Sequence, residues 1–323
     1  MVRAVQVVET TGPAGVRVND LPEPVPAAGD VLVDVHAIGV SFPDLLLTRG
    51  QYQLRPDLPF TLGADCAGTV IGGDLEPGRR VAAFLPHGAA AERVAVPASW
   101  VFPLPDRLTF AQGAALPLNY LTAHFALAVR GQLRPGETVL VHGGAGGVGT
   151  ACLQVARGLG ARTIAVVSTE AKREVALTAG ADHAVLLDGF REEAAAITSG
   201  SGSGVDVVVD VVGGDVVTDS LRSLAPFGRL LVVGFAAGQG IPEVKVNRLL
   251  LNNIDVRGVG WGAYALSRPG YPAEQWAQLL PMMDSGVIAP VVGATYGMAD
   301  FAQALVDMDA RRTLGKSVVL VRE

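Results

Sequence analysis

The chain of 323 residues predicts an α/β protein in two parts, a β-rich part and a doubly wound parallel sheet. Three observations carry this. Val139–Gly149 reads VLVHGGAGGVG, an apolar run entering a turn that satisfies G-x-G-x-x-G at Gly144, Gly146 and Gly149. Beyond about residue 117, Val/Leu-rich runs alternate with helical patterns, as parallel strands and their crossover helices do. Before it, short strand-like runs are broken by Gly and Pro.

The bulk composition agrees. The length predicts two domains, and 50% hydrophobic against 17% charged residues allows a large buried core. A net charge of −6 leaves no electrostatic footprint for nucleic acid or an anionic membrane. Cys66 and Cys152 cannot build a disulfide framework and fit a reducing compartment. The opening MVRAVQVVET has no signal-peptide core, and no apolar run reaches spanning length. A soluble, cytoplasmic protein is expected.

Taken in order, Val31–Val40 alternates apolar and polar side chains like a half-buried strand, after turns at Pro22, Pro24 and Pro26. Runs near Val5, Thr69 and Val94 add strands, predicting a small barrel or sandwich. Thr138–Val141 reads as a strand, and Val148, Cys152, Val155, Ala156 and Leu159 then recur at helical spacing, with one buried face. A strand at Thr163–Val167, a helix at Ala171–Ala179 and a strand at Ala184–Leu187 follow. A helix near Glu192–Thr198 leads through Ser201–Gly204 (SGSG) to the strand Val205–Val211. The series closes with a helix at Asp215–Leu224 and strands at Leu230–Val233 and near Ile254–Val259, six strands in all. The tail adds helices at Ala273–Met283 and Ala299–Met308 and a strand at Ser317–Val321. That last strand needs a partner, and the β-rich first part supplies one.

A strand, a glycine turn and a helix N-terminus hold the pyrophosphate of a dinucleotide, because the turn lets backbone approach and the helix offers unpaired N–H groups. Ala145, Gly146, Gly147, Val148 and Gly149 are therefore candidate cofactor contacts. The next strand ends at Ser168, 19 residues past Gly149, where an acid would select NAD. Ser168 and Thr169 stand there instead, with Lys172 and Arg173 one turn on, which points to NADPH. A bland reading stays open: Thr169 or Ser168 caps the helix, Glu170 complements its dipole, and the two cations are solvated.

With these residues in place the chain resembles the medium-chain dehydrogenase/reductase superfamily, in its quinone oxidoreductase branch, which includes zeta-crystallin. The resemblance runs through Pro22–Asp30, LPFTLGADCAG (Leu58–Gly68), LNYLTAHFAL (Leu118–Leu127), HGGAGGVG (His142–Gly149), Asn247–Tyr264 and RRTLGKSVVL (Arg311–Leu320). It implies a GroES-like β-rich catalytic domain, discontinuous over 1–117 and 257–323, and a doubly wound Rossmann cofactor domain over 118–256. Zinc-dependent members carry a Cys near Ser41 and Gly-His-Glu where this chain has Gly63-Ala64-Asp65. His36, His87, His124, His142 and His183 show no ligand spacing, so no metal is expected.

Without a Lewis acid, oxidation of an alcohol is disfavoured, and reduction of a quinone or an α,β-unsaturated carbonyl is expected. The family's Asn-Phe-x-Asp segment beside the nicotinamide reads Ser41-Phe42-Pro43-Asp44 here, which keeps a hydroxyl and loses the amide. A family tyrosine appears as Leu46, while Tyr52 retains the next one; it faces substrate or merely packs. Thr122 falls where the family places a hydroxyl near the nicotinamide, or bonds its own helix backbone. The implied catalytic set is Ser41, Tyr52 and Thr122.

Gly213, Gly234 and Phe235 sit at strand ends, the ligand edge of such a sheet. Gly260 and Trp261 follow the sixth strand; Trp261 lines the site or a dimer interface. Asp210 ends a strand and can cap the next turn. Arg312 and Lys316 match the family's closing Arg-x-x-Gly-Lys, with Arg312 toward the 2′-phosphate and Arg311 competing for that role. His142 reads as a satisfied strand-end histidine before a catalyst. The rival enzyme is an enoyl reductase acting on an acyl thioester, though the β-rich part lacks a basic cluster for such a substrate. A non-catalytic, RNA-binding or structural crystallin-like role is the other alternative, and the acidic balance opposes RNA. The last strand leaves an open apolar edge, so a homodimer is expected.

Overall fold

The computed structural model describes residues 1–200, 204–268 and 270–322; Ser201–Ser203 of the SGSG linker lie outside them. Contacts divide the chain into one unit of Met1–Asn119, Pro269–Leu280 and Pro290–Glu323 and another of Tyr120–Arg268 and Pro281–Ala289.

The first unit opens with β1 (Val2–Val7), β2 (Val16–Leu21), β3 (Asp30–Gly39), α1 (Phe42–Thr48), β4 (Phe60–Thr61), β5 (Asp65–Gly73), β6 (Arg80–Phe84), β7 (Arg93–Pro97), β8 (Val101–Pro103) and α2 (Phe110–Ala114). β1 pairs antiparallel with β2 and β4. β3 shows the predicted alternation, with Val31, Val33 and Val35 fully buried and the residues between them half-buried.

α3 (Pro117–His124) carries the chain from the first unit into the second, which runs on through β9 (Thr138–His142), α4 (Gly147–Gly158), β10 (Arg162–Val167), α5 (Glu170–Thr178), β11 (His183–Leu186), α6 (Phe190–Thr198), β12 (Val205–Asp210), α7 (Val216–Ser223), β13 (Leu224–Val232), α8 (Asn247–Asn252), β14 (Asp255–Gly258) and α9 (Trp261–Leu266). Its strands form one parallel sheet in the order β11-β10-β9-β12-β13-β14. This is the doubly wound arrangement, with the glycine turn following the central strand. Every residue of β9 is buried, as a strand covered on both faces must be. Leu140, Ile164, Val208 and Leu230 meet Phe190 and Leu221 in one core.

The chain then returns through α10 (Tyr271–Asp284), β15 (Val292–Gly297), α11 (Phe301–Asp309) and β16 (Lys316–Leu320). β16 pairs antiparallel with β3, so the predicted last strand finds its partner in the β-rich part. The resulting sheet runs β15-β16-β3-β5-β6-β8, with β7 also on β3. Phe301 and Leu305 of α11 pack into the same core as Val33 and Leu45.

Several sequence expectations need adjusting. α4 is buried along Ala151–Ala156 rather than on one stripe, because more than the sheet covers it. Gln154 donates to Ala289 O (2.9 Å) and accepts from Ala289 N (3.0 Å) and the Tyr120 hydroxyl (2.6 Å). β13 begins at Leu224, earlier than read, because Leu224 already pairs with Val205, with a register shift before Arg229. β15, α8 and α9 were not anticipated. Where the reading closes the cofactor domain at 256, the second unit continues to Arg268, because Trp261 and Ala265 of α9 are buried.

The turn after β9 is set by close approach. A Cβ on Gly149 would lie 2.1 Å from Gly143 O, a backbone atom that cannot yield. On Gly146, whose φ is −89°, the nearest atom would be 3.4 Å away. Gly149→Ala should therefore cost about 3 kcal/mol in urea unfolding, and Gly146→Ala under about 1 kcal/mol. Equal losses in the two variants would contradict the crowding at Gly149.

Candidate functional site

The parallel sheet places the ends of β9, β10, β12 and β13 on one edge, and the cofactor candidates gather there. α4 starts at Gly147 with Gly146 as its N-cap, and no side chain caps it. The first bond back is Thr150 N to Gly146 O (2.9 Å), so the N–H groups of Gly147, Val148 and Gly149 have no helical acceptor. Such a terminus is a ready anion site. The donor set and the crowding at Gly149 fit a dinucleotide pyrophosphate.

At the end of β10, Lys172 Nζ donates to Ser168 Oγ (3.2 Å), which brings two of the predicted residues together. Thr169 is the N-cap of α5, accepting from Lys172 N (3.3 Å), as the bland reading held. Arg173 pairs with Glu170 at 3.5 Å on the exposed face. The strand is followed by Ser168, not by Asp or Glu.

Asp210 ends β12 and caps the next turn: its Oδ1 accepts from Val212 N (2.8 Å) and Gly213 N (2.9 Å). Its Oδ2 is buried without a partner, and burial raises the carboxyl pKa against the pull of those two bonds. Gly213 has a left-handed φ of +66° and lies under Phe235, whose ring a Cβ there would strike at 2.8 Å. Gly234 precedes Phe235 at the end of the neighbouring strand. Gly260 is the N-cap of α9, and Trp261 is its buried first residue. Thr122 is buried on α3. His142 Nε2 meets Ser220 Oγ at 2.7 Å, and burial pushes the imidazole down to about 3. It is an uncharged strand-end histidine at neutral pH.

The first unit holds a separate polar cluster. Ser41 is the N-cap of α1, followed by Phe42 on the surface and Pro43 half-buried. The Asp44 carboxylate accepts from Ser41 N (2.8 Å) and Gly63 N (2.9 Å), which ties α1 to the connection between β4 and β5. Lys316 Nζ donates to Ser41 Oγ (2.6 Å) and to Asp65 Oδ2 (2.8 Å), while Asp65 Oδ1 accepts from Leu118 N (2.8 Å). Tyr52 is half-buried against the core; burial and then the charge of Asp44 raise its phenol pKa. Arg312 is engaged by Asp307 (2.6 Å), a carboxylate held down to about 2 first by that guanidinium.

Sequence reasoning missed the Ser41–Asp65–Lys316 contact, whose ends lie 275 positions apart. It also missed Asp44 as the anchor of α1, though Ser41-x-x-Asp44 carries the spacing of a capping box.

A family model described as a zinc-binding dehydrogenase matches residues 147–285, and one described as an alcohol dehydrogenase GroES-like domain matches 27–106. The chain is 36% identical over 300 residues to quinone oxidoreductase-like protein 2 of Bos taurus, covering 91% of this chain and 85% of that one. A probable oxidoreductase from Mycobacterium abscessus is 42% identical with a TM-score of 0.89, covering 99% of this chain and 98% of that one. The quinone oxidoreductase from Thermus thermophilus, also solved in complex with NADPH, is 37% identical with a TM-score of 0.86, covering 99% and 100%. The fold and these matches define a medium-chain dehydrogenase/reductase, a GroES-like domain joined to a Rossmann domain. Within that superfamily the chain belongs to the quinone oxidoreductase-like branch.

The zinc in the first description does not suit the residues present. Ser41 Oγ and Asp65 Oδ2 are both taken by an ammonium, which repels a second cation. The neighbouring thiol of Cys66 is pushed up to about 12 by burial, far from the thiolate a metal needs. Among the described residues no group of three or more His, Cys, Asp or Glu side chains is placed to hold a metal.

Asp44 supplies a test of this cluster. Burial first, and the charge of Asp65 in part, lift its carboxyl to about 6, against the lowering by its two N–H bonds and Lys316. A carboxyl raised above its unfolded value binds its proton more tightly in the folded state, so its contribution to stability grows as pH falls from about 6 to about 4. Relative to Asp44→Asn, which does not titrate, the wild type should gain about 2–3 kcal/mol between pH 7 and pH 4 in urea unfolding. A constant difference across that window would show that the carboxyl is not raised.

Proposed function

We propose that this chain is an NADPH-dependent, zinc-independent reductase that delivers hydride to a quinone or an α,β-unsaturated carbonyl compound. The carrying observation is the end of β10, where Lys172 donates to Ser168 at the position an Asp or Glu would hold for NAD, beside the strand that feeds the open turn of α4. Bound there, NADPH would supply the hydride. The N–H groups of Gly147, Val148 and Gly149 bind the pyrophosphate, and Ser168, Lys172 and Arg173 bind the 2′-phosphate. Ser41, Tyr52 and Thr122 are the proposed catalytic hydroxyls. A hydroxyl donor suits the oxygen that gains charge as hydride arrives. The buried, unpaired thiols of Cys66 and Cys152 accord with a reducing cytoplasm.

NADPH oxidation with 1,4-benzoquinone, 1,2-naphthoquinone and 2-alkenals, before and after dialysis against a chelator, tests the reaction class. Turnover retained through dialysis is expected; turnover on crotonyl-CoA alone would favour an enoyl reductase instead. Lys172→Ala with Arg173→Ala should raise KM for NADPH at least about tenfold and leave NADH unaffected.

We further propose a homodimer formed along β14. Among the described residues this strand has a neighbour on one side only, and Leu250 and Leu251 of α8, just before it, are 77% and 74% exposed. A bare edge beside apolar side chains is a template for a second copy. Light scattering should give a dimer for the wild type and a monomer for Leu250→Glu with Leu251→Glu. A wild-type monomer would end this assignment.

A further inference from the structure

β12 and β13 stay paired beyond the sheet. Past their ends, Asp210 O accepts from Val233 N (2.8 Å), Val211 O from Ala236 N (3.2 Å) and Val212 O from Ala237 N (2.8 Å). The segment after β13 thus lies as a strap along the loop after β12. Its tip is Gln239, whose amide meets Asp215 twice. Gln239 Oε1 accepts from Asp215 N (3.2 Å), and Gln239 Nε2 donates to Asp215 Oδ2 (3.0 Å). Gly214 makes room for this clasp, since a Cβ there would lie 2.1 Å from Gln239 Oε1.

Burial does not hold the strap down. Phe235, Ala236, Gly238, Gln239 and Gly240 are exposed. A cavity of about 250 Å³ opens beside the clasp, with Thr218, Pro242 and Glu243 among its walls. A segment with so few buried contacts stays closed through its hydrogen bonds and opens when they are lost.

The loop under the strap is a wall of the cofactor crevice. The sheet order reverses between β9 and β12, and a dinucleotide binds at such a switch point. The turn after β9 and the loop after β12 touch there: a Cβ on Gly143 would lie 2.9 Å from Val211 Cγ2 and 3.5 Å from Val212 Cγ2. Gly143 O in turn accepts from Gly146 N (2.9 Å), the N-cap of α4. Clasp, strap, loop and pyrophosphate turn are one run of contacts, all within the second unit.

We propose that Gln239 is a positioning residue for the dinucleotide. Its clasp with Asp215 keeps the strap closed, and the closed strap keeps Val211 and Val212 against the glycine turn. This rests on the cofactor assignment above. Apparent affinity scales with the fraction of molecules in the closed form, so a broken clasp weakens binding while the turn itself is unchanged. NADPH and NADH lose alike, because the clasp and the Ser168–Lys172 contact lie on opposite sides of β9.

The test titrates NADPH and NADH into the whole chain by nicotinamide fluorescence and follows amide exchange over Val233–Gln239 by mass spectrometry. Both clasp positions are exposed, so substitutions there keep the fold. Wild type that binds neither nucleotide would overturn the cofactor assignment, and this role with it. Given binding, Gln239→Ala should raise both Kd values about fivefold and speed exchange at Ala236 and Ala237. Gln239→Glu sets a carboxylate against Asp215 and Glu243 and should raise both about tenfold or more. Adding Asp215→Asn to Gln239→Glu mirrors the clasp, with the new amide donating to the new carboxylate. That pair should return both Kd values to within about twofold of wild type. Unchanged affinity in Gln239→Ala would overturn the proposal, because this variant breaks the clasp without changing charge. Unchanged exchange would overturn it too, as would a double variant as weak as Gln239→Glu.

Discussion

In the second unit one constraint governs the rest: its strands all run the same way. A parallel sheet covered on both faces hides its surfaces and sends every strand end to a common edge. Backbone groups that leave the ladder there need other partners. The loop after β12 finds one in Asp210, and the loop after β10 in Thr169. The start of α4 finds none, because Gly146 has no side chain and Gly149 must stay bare beside Gly143 O. The anion site is thus what remains when the capping position carries no side chain.

The first unit solves a different problem. It buries Asp44, Asp65 and Lys316 within a core that would otherwise be aliphatic, and burial of charge is costly unless the charges are paired and hydrogen-bonded. Asp44 and Asp65 spend their oxygens on backbone N–H groups and on Lys316, which fixes α1, β5 and the start of β16 in one arrangement. Ser41 sits at the meeting point. Its hydroxyl is therefore held by groups drawn from distant parts of the sequence.

The legible parts of this molecule are those written in local patterns. The period-two alternation of β3, the glycine turn, the six parallel strands and the strand-end Ser168 all follow from neighbours a few residues apart, and the sheet order matches the doubly wound reading. The illegible parts depend on what the chain meets later. The wide burial of α4 comes from Ala289, and β15 is a strand because β16 lies beside it. Ser41, Asp65 and Lys316 were each visible as residues, but nothing in their spacing announces a contact. Asp44 is the intermediate case, since its spacing from Ser41 is a recognisable cap signal while its second bond, to Gly63, is not.

The pairing of β16 with β3 also bears on the order in which the protein comes into being. β3 is synthesised before the whole of the second unit, yet β16, the strand that covers its flank, is synthesised only after it. The segment between them carries a sheet whose six strands lie within Thr138–Gly258. During synthesis that middle unit is complete while the first is still missing an edge, and domains fold as units when their sequence is available. The unit that β3 belongs to thus closes only after the second, and until β16 has emerged β3 lacks the strand that pairs along its Ala37–Gly39 end.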